Sequence, residues 1–394
     1  MQTKKKFPVV HNKLCWDAIN AFPVKNKDMS IEELRQLCVD FFRFTKTINW
    51  VADGEVAYPR NSKGWMDKIQ DGTVYAGLPY IGLASGNVYR LMDYIDEDGV
   101  VDISRAARVL KMFGNQCSIG CYWGWGRVIN SADYDWTPRM LQANGFYRVG
   151  PYKYDDSLTK VTADYNSVKI CEENGEQVMY QSYAQVQPAD GFMNFTTAGH
   201  VIMCSAKPYV VYRDSGKIDG DNSYITMIDQ SQIWLKGSND SGDEYLYKHN
   251  VDTYRSFKKL YEEGYTPFTF AEFMGTHPVE DTVCAFSHTD DTVTLEQLFS
   301  AEITCNYGIT DAYAHITDKN GKEIYCHAVR AKTANCKELP FVKVCDPEDM
   351  EHDNVDSWGE LNFTSNEEYT VTVVCQLATG ERPTLYTGKL IAEQ

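Results

Sequence analysis

The chain has 394 residues, 43% of them apolar and 13% aromatic, the composition of an ordered protein too long for one ordinary core, and the length favours two domains. Its 38 Lys and Arg against 55 Asp and Glu leave a formal charge of −17, which argues against nucleic acid as a partner because a polyanion needs cations to displace its counterions. No apolar run of about 18 residues occurs, which excludes a transmembrane helix, and Met1–Val10 begins basic without the apolar stretch of an intact signal peptide. Twelve cysteines are spread along the chain with no C-x-x-C pair, so a metal site is not expected. Most lie in apolar patterns, as Cys38 and Cys375 do, and read as buried thiols of a reducing compartment.

In chain order, Ser30 and Glu33 form a capping box before the stripe Ile31, Leu34, Cys38 and Phe41/Phe42, which predicts a helix over 30–44. Residues 49–82 lack a sustained period and read as loop. A second helix is expected over 102–112, started by Asp102. Between 160 and 235 the pattern predicts strands at 167–172, 178–186, 200–204, 209–212 and 224–228. A last helix is expected over 251–263, followed by a boundary near 275–283, where Gly275 and Pro278 sit among polar residues and an exposed linker is expected. Beyond it only strand and turn are expected, with Asn320-Gly321 as a hairpin turn. Short strands at regular spacing over about 115 residues suit an immunoglobulin-like β-sandwich. The division is 1–277 and 278–394.

The segment Gly114-Asn-Gln-Cys-Ser-Ile-Gly-Cys-Tyr-Trp-Gly-Trp-Gly-Arg-Val128 carries the most unusual pattern. A helix from 117 to 130 would contain Gly120, Gly124 and Gly126, each costing about 1 kcal/mol relative to alanine. Such a helix persists only where close packing outweighs propensity, as for a central helix lying tight against a sheet. Cys117 would stand at its N-terminus, where unpaired N–H groups and the helix dipole favour a thiolate. A nucleophilic thiol needs a base, usually histidine. Of the eight histidines, His11 lies in the N-terminal loop, His249 and His277 in polar loops, and His288, His315, His327 and His352 in the C-terminal part. His200 alone opens a strand apolar on both faces, His200-Val-Ile-Met-Cys204, where an imidazole is desolvated and oriented. A core histidine satisfied by a backbone carbonyl fits that position as well.

Gly-x-Gln-Cys-Ser before a helix, then Ala-Gly-His-Val on a later strand, resembles the CHAP amidases and the NlpC-type cell-wall peptidases, both papain-like cysteine hydrolases. The resemblance spans residues 70–235. It implies an α+β domain with an antiparallel sheet and a central Cys-bearing helix, and no metal or cofactor. It also implies Cys117 as nucleophile, His200 as base, and an acidic residue at a strand end as orienter: Asp229, with Gln230 as the alternative. Gln116 matches the position that assists the oxyanion hole, and Tyr80, or else Tyr75, the tyrosine near the thiol. The chain departs from the pattern at Ala189-Asp190-Gly191-Phe192, where Gly-Asp is usual, and at Gln116-Cys117-Ser118-Ile119, where NlpC-type enzymes have Asp-Cys-Ser-Gly. The implied substrate is a peptidoglycan stem peptide or its amide link to sugar, at an extracytoplasmic or cell-wall location, with the C-terminal part as a targeting or spacer module. Two other readings stay open: a catalytically degenerate cell-surface binding protein, and an intracellular amidase with a non-wall substrate, which the cysteine count suits.

Overall fold

The computed structural model describes residues 12–59, 66–82, 84–107, 113–132, 145–155, 165–194, 199–231, 233–236, 245–333, 335–343, 355–363 and 367–391. They form a mixed α+β protein with several mostly antiparallel sheets. The helix Ile31–Thr45 begins at the expected box: the Ser30 hydroxyl accepts the Glu33 N–H, and the Glu33 carboxylate accepts the Ser30 N–H at 2.7 Å. Its buried stripe includes Leu34, Leu37, Cys38, Phe41 and Phe42.

A six-stranded sheet runs in the order Thr253–Ser256, Tyr224–Ile228, His200–Tyr209, Gly191–Asn194, Tyr265–Phe270, Phe146–Arg148. The helix Cys117–Trp125 packs between this sheet and Ile31–Thr45. Added to Gly124, a Cβ would lie 2.9 Å from both Met203 Cε on the sheet and Phe42 Cβ on the neighbouring helix. The glycines therefore buy approach on both sides of the helix. It ends at Trp125 and passes into turns at 126–128 rather than running to residue 130.

Several expected elements differ. Residues 49–82 are not one loop but contain the strands Asn49–Asp53, Val56–Pro59, Met66–Ile69 and Val74–Ala76. Each is too short to display a period, and burial of paired aromatics secures them: Trp50 and Tyr75 sit opposite each other with ring centroids 4.5 Å apart. Residues 167–172 and 178–183 lie in two helices, Ser167–Asn174 and Glu176–Tyr183, and 184–185 form a turn after the second. Asn166 caps the first through the N–H groups of Val168 and Lys169, and Gly175 at φ 75° separates the two. Helical spacing buries Met179, Tyr180 and Tyr183 together. Over 251–263 a strand, Thr253–Ser256, precedes the helix Phe257–Glu262. The strand from His200 continues to Tyr209, leaving no separate strand at 209–212. Asp102 caps a short helix, Ile103–Ala106, while 108–112 lie outside the described residues.

Residues 275–283 carry no helix or strand. After them, among the described residues, eight strands join one network through the sixteen-residue strand Glu302–Thr317. Its first part pairs with Cys284–Phe286 and Cys336–Pro340, its second with Glu323–Arg330 and Tyr369–Leu377. A helix, Leu295–Phe299, breaks the expected run of strands, begun by a Thr294–Gln297 capping box.

This C-terminal sheet is joined to the rest by buried charge. The Arg90 and Asp311 side chains are fully buried, with Nε 2.8 Å from Oδ1, and Arg90 also donates to the carbonyls of Thr310, Ala331 and Ser85. Arg330 bridges Asp311 and Asp93. Lys25 donates to Glu280 O and Thr282 Oγ1, fastening the connecting segment. Isolated from its partner, each buried charge would be uncompensated, and breaking such a pair costs about 3–5 kcal/mol.

Candidate functional site

The segment entering the Cys117–Trp125 helix is clamped on both sides. Asn115 N–H donates to Pro79 O, Ile81 N–H to Asn115 O, Gly86 N–H to Gly114 O, and Asn115 Nδ2 to Gly86 O. Gln116 follows in an extended conformation as the helix cap, and Cys117 is the first helical residue. The thiol is therefore fixed where helix N–H groups are unpaired.

His200 opens its strand opposite Asn194, next to Gly199, whose carbonyl oxygen lies 3.9 Å from the Cys117 sulfur, and the imidazole and the thiol act on each other's charge. Its Nε2 lies 2.9 Å from Asp229 Oδ2, so Nδ1 is the nitrogen not engaged by the carboxylate. Asp229 follows the strand Tyr224–Ile228, is buried, and also accepts from Asn250 Nδ2 at 3.2 Å. The backbone fixes that second contact, since Asp229 N–H donates to Asn250 O.

The electrostatics follow from these contacts. Burial opposes charge on Cys117, but the His200 hydrogen bond and charge, with the backbone N–H groups of Val201 and Ser118, outweigh it and hold the thiol below its ordinary value. Burial likewise opposes protonation of His200, while Asp229 and Cys117 overcome it and raise the imidazole. Burial would raise Asp229, yet His200, Ser231 and Asn250 keep it lower than a free carboxyl. These shifts bias the pair towards a thiolate beside an imidazolium, backed by a carboxylate. Four residues on, Cys121 has the carbonyl of Val201 as its neighbour, and burial pushes it far up. It stays a thiol.

Of the two candidates for orienter, Asp229 meets the imidazole and Gln230 does not. The Gln230 amide is fully buried on the other side, accepting from Lys46 Nζ and donating to Leu78 O at 3.0 Å. Its Cβ packs so close to the helix that a Cβ on Gly120 would lie 2.6 Å away. Gln116 is half-buried beside the thiol, and its side chain makes no capping hydrogen bond. Tyr80 is half-buried, its backbone bridged to Asn115 and its ring at the edge of the Trp50 cluster. Tyr75 is a core residue stacked on Trp50.

Three residues around the site had no sequence signal. His249, expected in a polar loop, is buried, accepting from Ser231 N–H on Nδ1 and donating from Nε2 to Leu78 O. Lys46 is buried with its ammonium 4.3 Å from the centre of the Phe42 ring. Asn250 supports Asp229. Polar residues just after a strand or a helix look like turn residues in sequence, and only tertiary packing encloses them. Comparison with protein-family models, curated proteins and solved structures found no match.

Proposed function

We propose that the protein is a cysteine hydrolase that transfers an acyl group from an amide to water. The observation that carries this reading is a helix-N-terminal thiol beside a strand-borne imidazole whose Nε2 lies 2.9 Å from a buried carboxylate. In this mechanism the Cys117 thiolate attacks the amide carbonyl. His200 delivers its proton to the departing amine, then takes a proton from the water that releases the acyl group. Asp229 holds the ring and its charge. The Gln116 amide and the Cys117 backbone N–H stabilise the oxyanion, charge that builds beside a helix N-terminus.

Folded this way, residues 1–277 would be a papain-like domain and 278–394 an immunoglobulin-like one. The motif resemblance supports a peptidoglycan stem peptide, or its amide link to sugar, as substrate. Iodoacetamide at mildly acidic pH tests the chemistry. Cys117 should be labelled before every other cysteine, and Cys117→Ala should abolish hydrolysis of wall-peptide substrates. His200→Ala should move labelling to higher pH, because the thiolate loses its counter-charge, and should lower turnover by about 10²–10⁴-fold. Labelling spread evenly over several cysteines, indifferent to His200, would sink the proposal and leave a binding role.

A further inference from the structure

The C-terminal sheet carries a second group of thiol, imidazole and carboxylate, remote in sequence from the first. His315 and Cys326 sit directly opposite each other on the paired strands Glu302–Thr317 and Glu323–Arg330. Glu323 is three residues from Cys326, an odd spacing that in a regular strand places two side chains on opposite faces. Here the register slips: Ile316 faces Tyr325, and Thr317 faces Glu323, leaving Ile324 as an extra residue. That bulge turns Glu323 back onto the face of His315 and Cys326, and bulges recur where a side chain has to be re-aimed. His315 Nδ1 consequently lies 2.6 Å from Glu323 Oε2, and the three donor atoms all fall within 4.8 Å of one another.

We propose that His315, Glu323 and Cys326 bind a single zinc ion, with water completing the tetrahedron. One sulfur, one imidazole nitrogen and one carboxylate oxygen match the borderline-soft preference of zinc better than that of a hard cation such as magnesium. Tetrahedral zinc holds its donors at about 2.0–2.3 Å, so the His315–Glu323 hydrogen bond must open and the thiol approach. The His315 and Glu323 side chains are 27% and 51% exposed, so they have room to rotate and give an ion access from solvent. Cys326 is fixed in a small apolar patch with Tyr313, Ala328 and Trp358, and the Tyr313 ring stacks on His315 at 6.1 Å. The nearby Arg330 guanidinium is neutralised by Asp93 and Asp311 and does not compete. On binding, the ion replaces the thiol proton, while a neutral imidazole ligating through Nδ1 keeps its N–H on Nε2. It would tie both strands together beside the hairpin turn.

Cobalt(II) is the probe, because a thiolate ligand gives it a near-ultraviolet charge-transfer band. The titration uses the full chain carrying Cys117→Ala, which removes the other thiol–imidazole pair. Saturation at about one equivalent, reversed by zinc, is expected. Cys326→Ser in that background should abolish the band, and the exposed change Glu323→Gln should weaken cobalt and zinc affinity at least about tenfold. Thermal melting without metal establishes that both variants are folded. No charge-transfer band, or a band that survives Cys326→Ser or is indifferent to Glu323→Gln, overturns the proposal.

Discussion

His200 and His249 flank the same stretch of chain, residues 229–231, and finish with opposite charge preferences. His200 meets a carboxylate and a thiol, and is driven towards imidazolium. His249 meets an N–H and a carbonyl. Burial and the Lys46 charge push its pKa down to about 3, so it stays neutral. Lys46 itself is pulled down to about 7 by burial, against the opposing pull of Cys121 and Asp229. Enclosure alone therefore decides little. The neighbours presented by Asp229 on one side, and by Ser231 and Leu78 on the other, determine which imidazole can exchange protons.

The contrast can be broken most strongly at Asp229. Asp229→Asn keeps the shape but removes the negative charge behind His200, and should lower kcat by about a hundredfold or more. The imidazolium then loses its proton at lower pH, so the alkaline limb of the pH–rate profile should move to lower pH while the thiol remains alkylatable. A profile unchanged in position would show that Asp229 does not set the charge of His200. Gly120→Ala acts on the partition between the two environments. The new methyl would meet Gln230 Cβ at 2.6 Å and Cγ at 3.1 Å, and overpacking of this kind costs about 1–3 kcal/mol. Denaturant unfolding should show that loss despite alanine's better helix propensity. The smallest effect is expected at His249. Unfolded, it takes up a proton below its ordinary 6.5; folded, it refuses one until about 3. The stability it contributes is therefore complete above pH 6.5 and is lost as pH falls through that window. His249→Gln, which can still accept from Ser231 and donate to Leu78, should show a shallower decline in melting temperature between pH 6.5 and 4 than the parent.

Local signals accounted for the capped helix starts at Ser30 and Asp102 and for the strands at His200 and Tyr224. Each depends on side chains within a few residues. The glycines of the Cys117 helix were legible as a demand for close approach, although sequence could not say that Gln230, Met203 and Phe42 would make it. The two helices at 167–183 stand where strands are expected because short runs such as Val178-Met-Tyr fit either period, and the Asn166 cap is the local mark of the first helix. The choice between Asp229 and Gln230 could not be made from adjacent positions on a strand end. It is decided by which side chain faces the imidazole and which faces Lys46.

The Arg90–Asp311 pair spans 221 positions of sequence, and that separation has a consequence during synthesis. Arg90 leaves the ribosome long before the residue that neutralises it. Arg90 also holds Ser85 O, and Ser85 is bridged to Asn115, two positions before the thiol. At the far end of the same helix, Gly380 packs so tightly that a Cβ there would run into the Arg127 guanidinium. A nascent chain that has made Cys117, His200 and Asp229 thus still lacks the braces at both ends of the helix bearing Cys117. Translation order makes the final strands the last components of a finished thiol site, so a truncated product would carry Cys117, His200 and Asp229 without the frame that aligns them.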